Sequence, residues 1–387
     1  VIKLSQPGIV IVGGGPAGLA TALYLAQRDP ALAAHTLILE ARNHPRPKLC
    51  GGGITVHGEE QLERLGLHLD VRAFTAHRLI FRLGKRDFIV DYPDAMRVIE
   101  RAVFDAALAE AVQAQGIQLN SGERVLDLQL CPDHVELTTN VATYRPRVIV
   151  AADGANSTIR RKLKMFNTVG IARLLRTMTP VDPQQEPLWR DQAAVFDFSP
   201  VLHGIQGYMW DFPTYVGDQP FINRGIFDSR IVPQPATERE HGAFKRAFAR
   251  GLHDRALDPD ATPLEGHPVR WFQPDASFSQ PHVLLVGDAA GVDPLLAEGI
   301  SYAMEYGAIA AETLSAAFRS NDFSFGDYRQ RLLTHRLGRL LQRRAWLALH
   351  LYQHRYPPMW ALLWRLASYS PKWAQRGVGS SLALLPA

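Results

Sequence analysis

Cysteine is nearly absent from this sequence: Cys50 and Cys131 are the only two in 387 residues. Two thiols exclude a disulfide framework and an iron–sulfur cluster, and they fit a reducing, cytoplasmic setting. Long apolar runs are missing as well. No stretch approaches the roughly 18 uninterrupted apolar residues of a membrane-spanning helix. The early run IVIV (9–12) is cut off by glycines before a signal-peptide core can form. There are no internal repeats or low-complexity segments, and no metal site is expected.

Acidic residues are missing from one region only. From Arg331 to the end there are nine basic residues and no acidic one, and four of the seven tryptophans (Trp346, Trp360, Trp364, Trp373) lie there. Basic, Trp-rich helices suit an anionic lipid surface. They equally suit a packed helical cap with a solvated basic face, and the pattern leaves both open. Nucleic acid is not expected, because no binding motif accompanies the charge.

What is present is an ordinary globular composition, 47% hydrophobic and 21% charged, long enough for two or three structural units. The start is the most legible part. IVIV (9–12) reads as a buried strand, GGGPAG (13–18) as a tight turn, LATALYLAQR (19–28) as an apolar helix and TLILE (36–40) as the next parallel strand. Gly13, Gly15 and Gly18 have the G-x-G-x-x-G spacing of a dinucleotide-binding βαβ unit. Gly13 makes the turn, Gly15 lets a pyrophosphate reach the backbone, and Gly18 lets helix and strand pack closely. Pro16 fits a first helical turn, whose free N–H groups, beginning at Ala17, face the diphosphate. Glu40, with Ala41 after it, ends the second strand where a ribose hydroxyl pair is bound.

Further on, residues 57–66 read as a short helix, 78–92 as a hairpin turning at Gly84-Lys85, and 99–116 as an amphipathic helix. Strands are expected around 123–130, 134–139 and 141–145, a strand–turn–helix at VIVAADGANSTIRR (148–161), a buried strand at HVLLVGDAAG (282–291) and a long helix over 300–318. Between 166 and 275 the pattern is of short strands rich in proline and aromatics. The nucleotide unit is therefore discontinuous: 1–75, 93–165 and 276–325 form it, 76–92 and 166–275 form a β-rich substrate unit, and 326–387 form a basic helical segment.

Three motifs in this order, G-x-G-x-x-G, the Asp153-Gly154 turn and Gly287-Asp288, resemble those of the flavoprotein group-A monooxygenase superfamily. KLCGGG (48–53), GYMWDFP (207–213) and GDAAGVDPLLAEGI (287–300) are similar to motifs of its geranylgeranyl reductase family. The resemblance spans residues 8–320. It implies an α/β fold with a Rossmann-like FAD-binding domain of the glutathione-reductase-2 type, an inserted antiparallel substrate sheet, and reduction of isolated C=C bonds in a prenyl group on a hydrophobic, lipid-like substrate. A flavin-dependent monooxygenase or halogenase of an aromatic substrate is the alternative, although YMWDFP departs at two positions from the halogenase W-x-W-x-I-P pattern.

By the same resemblance Asp288 meets the ribityl chain of FAD, Cys50, Gly51 and Gly53 lie against the flavin, and Gly299 and Ile300 aim a helix N-terminus at the flavin N1–C2=O edge. Arg101 lies near the FAD phosphates, Val125 reaches the adenine, and Asp153 belongs to the cofactor site. Tyr208, Trp210, Phe212 and Pro213 form the substrate wall, although the first three, alternating on one strand face, would also make an ordinary sheet core. Cys50 and Tyr208 are candidate proton donors beside an ordered water. Cysteine near its usual pKa of about 8.5 is a weak acid and often packs as a small apolar residue. No second G-x-G-x-x-G unit is present, so electrons would come from transient NADPH or from a redox partner such as ferredoxin. The expected location is cytoplasmic, peripheral to the membrane.

Overall fold

The computed structural model describes residues 7–165, 170–233, 242–353 and 357–381. Arg355 of the basic tail lies outside the described residues.

Two large sheets organise the chain. The first runs, in spatial order, Ser279–Gln280, Val283–Leu285, Val148–Ala151, Ile9–Val12, Thr36–Glu40, Gln118–Ser121, and every neighbouring pair but the first is parallel. Its central strands IVIV, VIVA and VLL are buried throughout. Such unbroken apolar strands need cover on both faces. On one face pack the helices Pro16–Arg28 and Ile300–Ser320, which meet where Gly307 lies against the Ala20–Thr21 backbone; a Cβ there would sit 2.6 Å from Thr21 N.

The second sheet has eight strands in the order Glu265–Arg270, Ile171–Pro180, Gln219–Asp228, Met209–Val216, Ala193–Asp197, Ala73–Leu83, Arg86–Ile99, Gly53–Thr55. All pairs are antiparallel except Ala193–Asp197 with Ala73–Leu83. The expected hairpin does turn at Gly84-Lys85, but its strands are longer, 73–83 and 86–99 rather than 78–92 overall. The slip between Ala76 and Arg78 breaks the alternation that would have revealed the full length. A third, three-stranded sheet comprises Val125–Leu130, Val135–Thr139 and Thr143–Tyr144.

The chain continues through the helices Arg336–Gln353, Pro357–Tyr369 and Lys372–Ser381. The second of these packs on the second sheet: Trp364 Nε1 donates to the carbonyl of Phe81 at 3.0 Å, and its ring contacts Phe88 and Phe198. Among the described residues no helix is long and apolar enough to cross a membrane.

Candidate functional site

One cavity of about 970 Å³ runs between the two sheets, with the glycine turn at one end and the KLCGGG loop at the other. At the glycine end the backbone explains the spacing. Gly13 has φ of +115°, and a Cβ there would lie 2.3 Å from the Ala152 carbonyl. A Cβ on Gly18 would lie 2.0 Å from the Gly13 carbonyl, so Gly18 serves helix–strand packing and does not line the cavity. Gly15 differs: a Cβ there would come no closer than 3.5 Å to anything, the Arg46 guanidinium being nearest. The protein itself leaves that space, and Gly15, Pro16 and Ala17 line it.

Gly15 is the N-cap of Pro16–Arg28 and no side chain caps that end. Its free N–H groups and positive dipole end therefore face the cavity. Glu40 lines the same end, with its Oε2 accepting from Gly14 N at 2.8 Å and its Oε1 from Arg42 N at 3.0 Å. Arg46 stands 3.2 Å from Glu40 and 3.3 Å from Asp105, and donates to the Gly14 carbonyl. Asp153, at the strand exit, accepts from Thr158 N and Ile159 N through Oδ2. Its Oδ1 is buried with no partner among the described residues, and burial pushes the carboxyl up. Ala41 and Val125 complete this end.

At the other end the three glycines have separate reasons. Gly52 has φ of +81° and would drive a Cβ to 2.4 Å from the Ile99 carbonyl; a Cβ on Gly53 would meet Met96 Sδ at 2.7 Å. The glycine run is thus required by the neighbouring strand as well as by whatever lies in the cavity. Gly51 faces Phe212 and Trp210. Asn223 ties loop to strand: its Nδ2 donates to the carbonyls of Cys50 (2.8 Å) and Gly51 (3.1 Å), while its Oδ1 accepts from Trp210 Nε1 at 3.0 Å.

Tyr208, Trp210 and Phe212 share one face as their alternation predicts and line the cavity, joined by Phe196 from the next strand, 5.0 Å from Phe212 between ring centroids. Pro213 does not line it. It is buried on the opposite face, because each step along a strand reverses direction. Asp211, on that same opposite face, is buried and paired with Arg224 and Arg255 rather than solvated. The Tyr208 hydroxyl donates to the Leu296 carbonyl at 2.5 Å, and burial pushes its phenol far up.

Between the two ends, Asp288 lines the cavity beside Gly299, the uncapped N-cap of Ile300–Ser320; Ile300 lines it too. A Cβ on Gly299 would lie 3.7 Å from Asp288 Oδ1. Arg101, first residue of the helix Arg101–Ala114, lines the cavity with its guanidinium on both oxygens of Asp105, at 2.8 and 2.9 Å. Burial works against the Arg101 charge, but the Asp105 carboxylate and, after it, the nearby Cys50 side chain push its pKa up.

Dinucleotide chemistry fits these residues: two uncapped helix N-termini, an unfilled space at Gly15, the acids Glu40 and Asp288 on the cavity wall and an orphaned carboxylate oxygen on Asp153. Sequence reasoning missed Arg46, Lys48, Asn223 and His267. Lys48 opens the KLCGGG motif and Arg46 stands two residues before it, so both had a signal; Asn223 and His267 reach the site only through sheet pairing.

A family model described as FAD binding domain matches residues 7–322. A digeranylgeranylglycerophospholipid reductase of Methanocaldococcus jannaschii is 29% identical over 336 residues, covering 82% of this chain and 78% of that protein. A menaquinone reductase of Mycolicibacterium smegmatis is 27% identical over 334 residues, covering 81% and 77%. The crystal structure of a geranylgeranyl bacteriochlorophyll reductase-like protein from Thermoplasma acidophilum superposes with a TM-score of 0.76 at 21% identity, covering 95% of this chain and 93% of that one.

Proposed function

The chain belongs to the FAD binding domain family, and from that premise we propose that it is an FAD-dependent reductase of isolated C=C bonds in a prenyl group of the geranylgeranyl type, carried on a lipid-like molecule. The observation that carries the reading is the continuity of the cavity. It joins the dinucleotide cradle to a wall of four aromatic rings, Phe196, Tyr208, Trp210 and Phe212, that presents no charge. The reductase names of the similar proteins support the same class.

FAD, when bound and reduced, supplies hydride. The chain's own residues do the rest. Gly13–Ala17 and the first helix N-terminus hold the diphosphate, Glu40 the adenosine ribose, and Asp288 the ribityl hydroxyls. The N-terminus at Gly299–Ile300 favours negative charge on the flavin edge next to it. The aromatic wall excludes water and aligns the chain. An isolated alkene offers no carbonyl to polarise, so a proton delivered from the cavity wall beside Cys50 is worth much. Of the two side chains expected to give it, Tyr208 has its hydroxyl committed to Leu296, which favours the Cys50 side of the cavity.

Such substrates reside in bilayers, and the C-terminal helices offer a contact. Leu366, Tyr369 and Trp373 are 60%, 76% and 76% exposed, with Arg365, Lys372 and Arg376 on the same two helices. Exposed apolar groups mixed with basic ones match an anionic membrane surface.

The test is anaerobic. Holoenzyme reduced with dithionite is mixed with a geranylgeranylated phospholipid and followed by flavin absorbance and product mass. Flavin reoxidation with one H2 added per double bond is expected. No reoxidation until air and a phenolic substrate are added would move the protein to the monooxygenase class.

A further inference from the structure

Lys48 and His267 form a contact that the cofactor site does not use. Lys48 Nζ lies 2.6 Å from His267 Nε2, joining the loop before Cys50 to the edge strand Glu265–Arg270, and both line the cavity. Two basic groups at that distance require one to be neutral. Burial and the neighbouring lysine hold His267 down at about 4, so it is the acceptor and the ammonium of Lys48 the donor. Among the described residues neither takes part in an ion pair, so this is not a salt bridge holding the fold together. An ammonium has three N–H bonds. His267 takes one, leaving two on a side chain that lines the cavity two residues from Cys50.

We propose that Lys48 is the acid that protonates the substrate carbon, and that His267 is a positioning residue that orients its ammonium. The proposal rests on the prenyl-reductase reading. A Lys48 N–H bond breaks and a C–H bond forms at one alkene carbon, while the hydride that reduced FAD would supply, with oxidation of the flavin, forms the C–H bond at the other. The alkene π pair is consumed, and the neutral amine regains its proton from water after product leaves. Lys48 suits the role better than a thiol or phenol because it carries its proton as a cation beside a neutral acceptor. Burial lowers its pKa, which makes it a stronger acid. Asp288 opposes that lowering; Arg101 and Arg46 add to it, and Cys50 opposes it. The flanking Arg176–Glu265 pair bridges the adjacent strands.

Two experiments decide it. In flavin-free protein, 13C-dimethyl-lysine NMR with Lys48 assigned by its loss in K48R is expected to show Lys48 titrating below the surface lysines, and to move in H267Q. A Lys48 signal that titrates with the surface lysines overturns the assignment whatever the substrate. In single turnover with reduced holoenzyme and geranylgeranylated phospholipid, K48M is expected to slow flavin reoxidation by about 100-fold, the lower range for general acid catalysis. The wild-type rate should fall as pH rises through the Lys48 pKa, below the ordinary 10.5, and that pH dependence should vanish in K48M. K48R separates charge from proton, since a guanidinium does not release one: loss of the step with FAD still bound supports the role, and a restored rate overturns it. An active wild type with K48M within threefold of it overturns Lys48 alone, whereas a wild type inactive on every prenyl lipid overturns the substrate reading and this role together.

Discussion

Arg344 and Asp293 meet as an ion pair with both side chains wholly out of solvent. Arg344 comes from the helix Arg336–Gln353 and also lies 3.3 Å from Glu298. Asp293 accepts in addition from Leu295 N and Leu296 N, at 2.8 and 3.0 Å. The carbonyl of Leu296 in turn receives the Tyr208 hydroxyl. A run of direct contacts thus leads from a C-terminal helix to the aromatic wall. Arg344→Met strands two buried carboxylates and is expected to cost about 3–5 kcal/mol in urea unfolding. Arg344→Met with Asp293→Asn should recover part of that loss, and a double variant no more stable than the single one would sever the pair from the account.

Gly15 and Gly18 should respond differently to alanine. Gly15→Ala meets only ordinary contacts in the protein, so its unfolding free energy should change by about 1 kcal/mol or less. The added methyl occupies the diphosphate space, however, and FAD content on purification should fall at least about tenfold, or 1.4 kcal/mol of affinity. Gly18→Ala puts a Cβ against the Gly13 carbonyl and should instead lower thermal stability directly, with or without cofactor. Flavin absorbance and thermal melts of both variants check the contrast.

Acid should weaken the fold through His267. Its folded pKa is about 4 against an ordinary 6.5, burial being the main cause. On lowering the pH the unfolded chain therefore takes up this proton first. The His267 contribution is complete above about 6.5 and is lost as pH falls toward 4. His267→Gln should flatten the stability profile in that window; an unchanged slope in urea titrations at pH 6.5, 5.5 and 4.5 would show the imidazole charging freely in the native state.

The C-terminal helices should bind anionic bilayers. Sedimentation with vesicles containing 30% phosphatidylserine, a fraction chosen for about the charge of a cytoplasmic leaflet, should capture the protein at low salt and release it as salt rises. Trp373→Ala with Leu366→Ala should lose capture at all salt concentrations, whereas Lys372→Glu with Arg376→Glu should lose mainly the salt-sensitive part. Equal capture of wild type and both variants would leave these helices a solvated cap.

The nucleotide-binding half was legible in the sequence because its signals are local. Strand, turn, helix and strand follow within one stretch, and each glycine is tied to a contact a few residues or one strand away. The aromatic triplet was legible as a face but not as a boundary: alternation shared by Tyr208, Trp210 and Phe212 excludes Pro213 by the same rule. Asn223 and His267 had no such signal, since pairing with Met209–Val216 and Ile171–Pro180 brings them to the loop from far along the chain. Arg344 is the sharper lesson. Counted among the basic residues of the tail, it is fully buried beside two acids that lie about 50 positions earlier in the chain. Composition reads the sign of a charge, and only tertiary packing decides which way it faces.

The uninterrupted cavity makes its two occupants neighbours. Under the proposed reading, a flavin held by the first helix and the KLCGGG loop would form part of the container for whatever lies on the aromatic wall. Affinity for the second guest then depends on the first, and thermodynamic reciprocity makes the factor the same in either order. A prenyl lipid would therefore tighten flavin binding by the same factor as the flavin tightens lipid binding, and flavin lost on dilution should be better retained when the lipid is present.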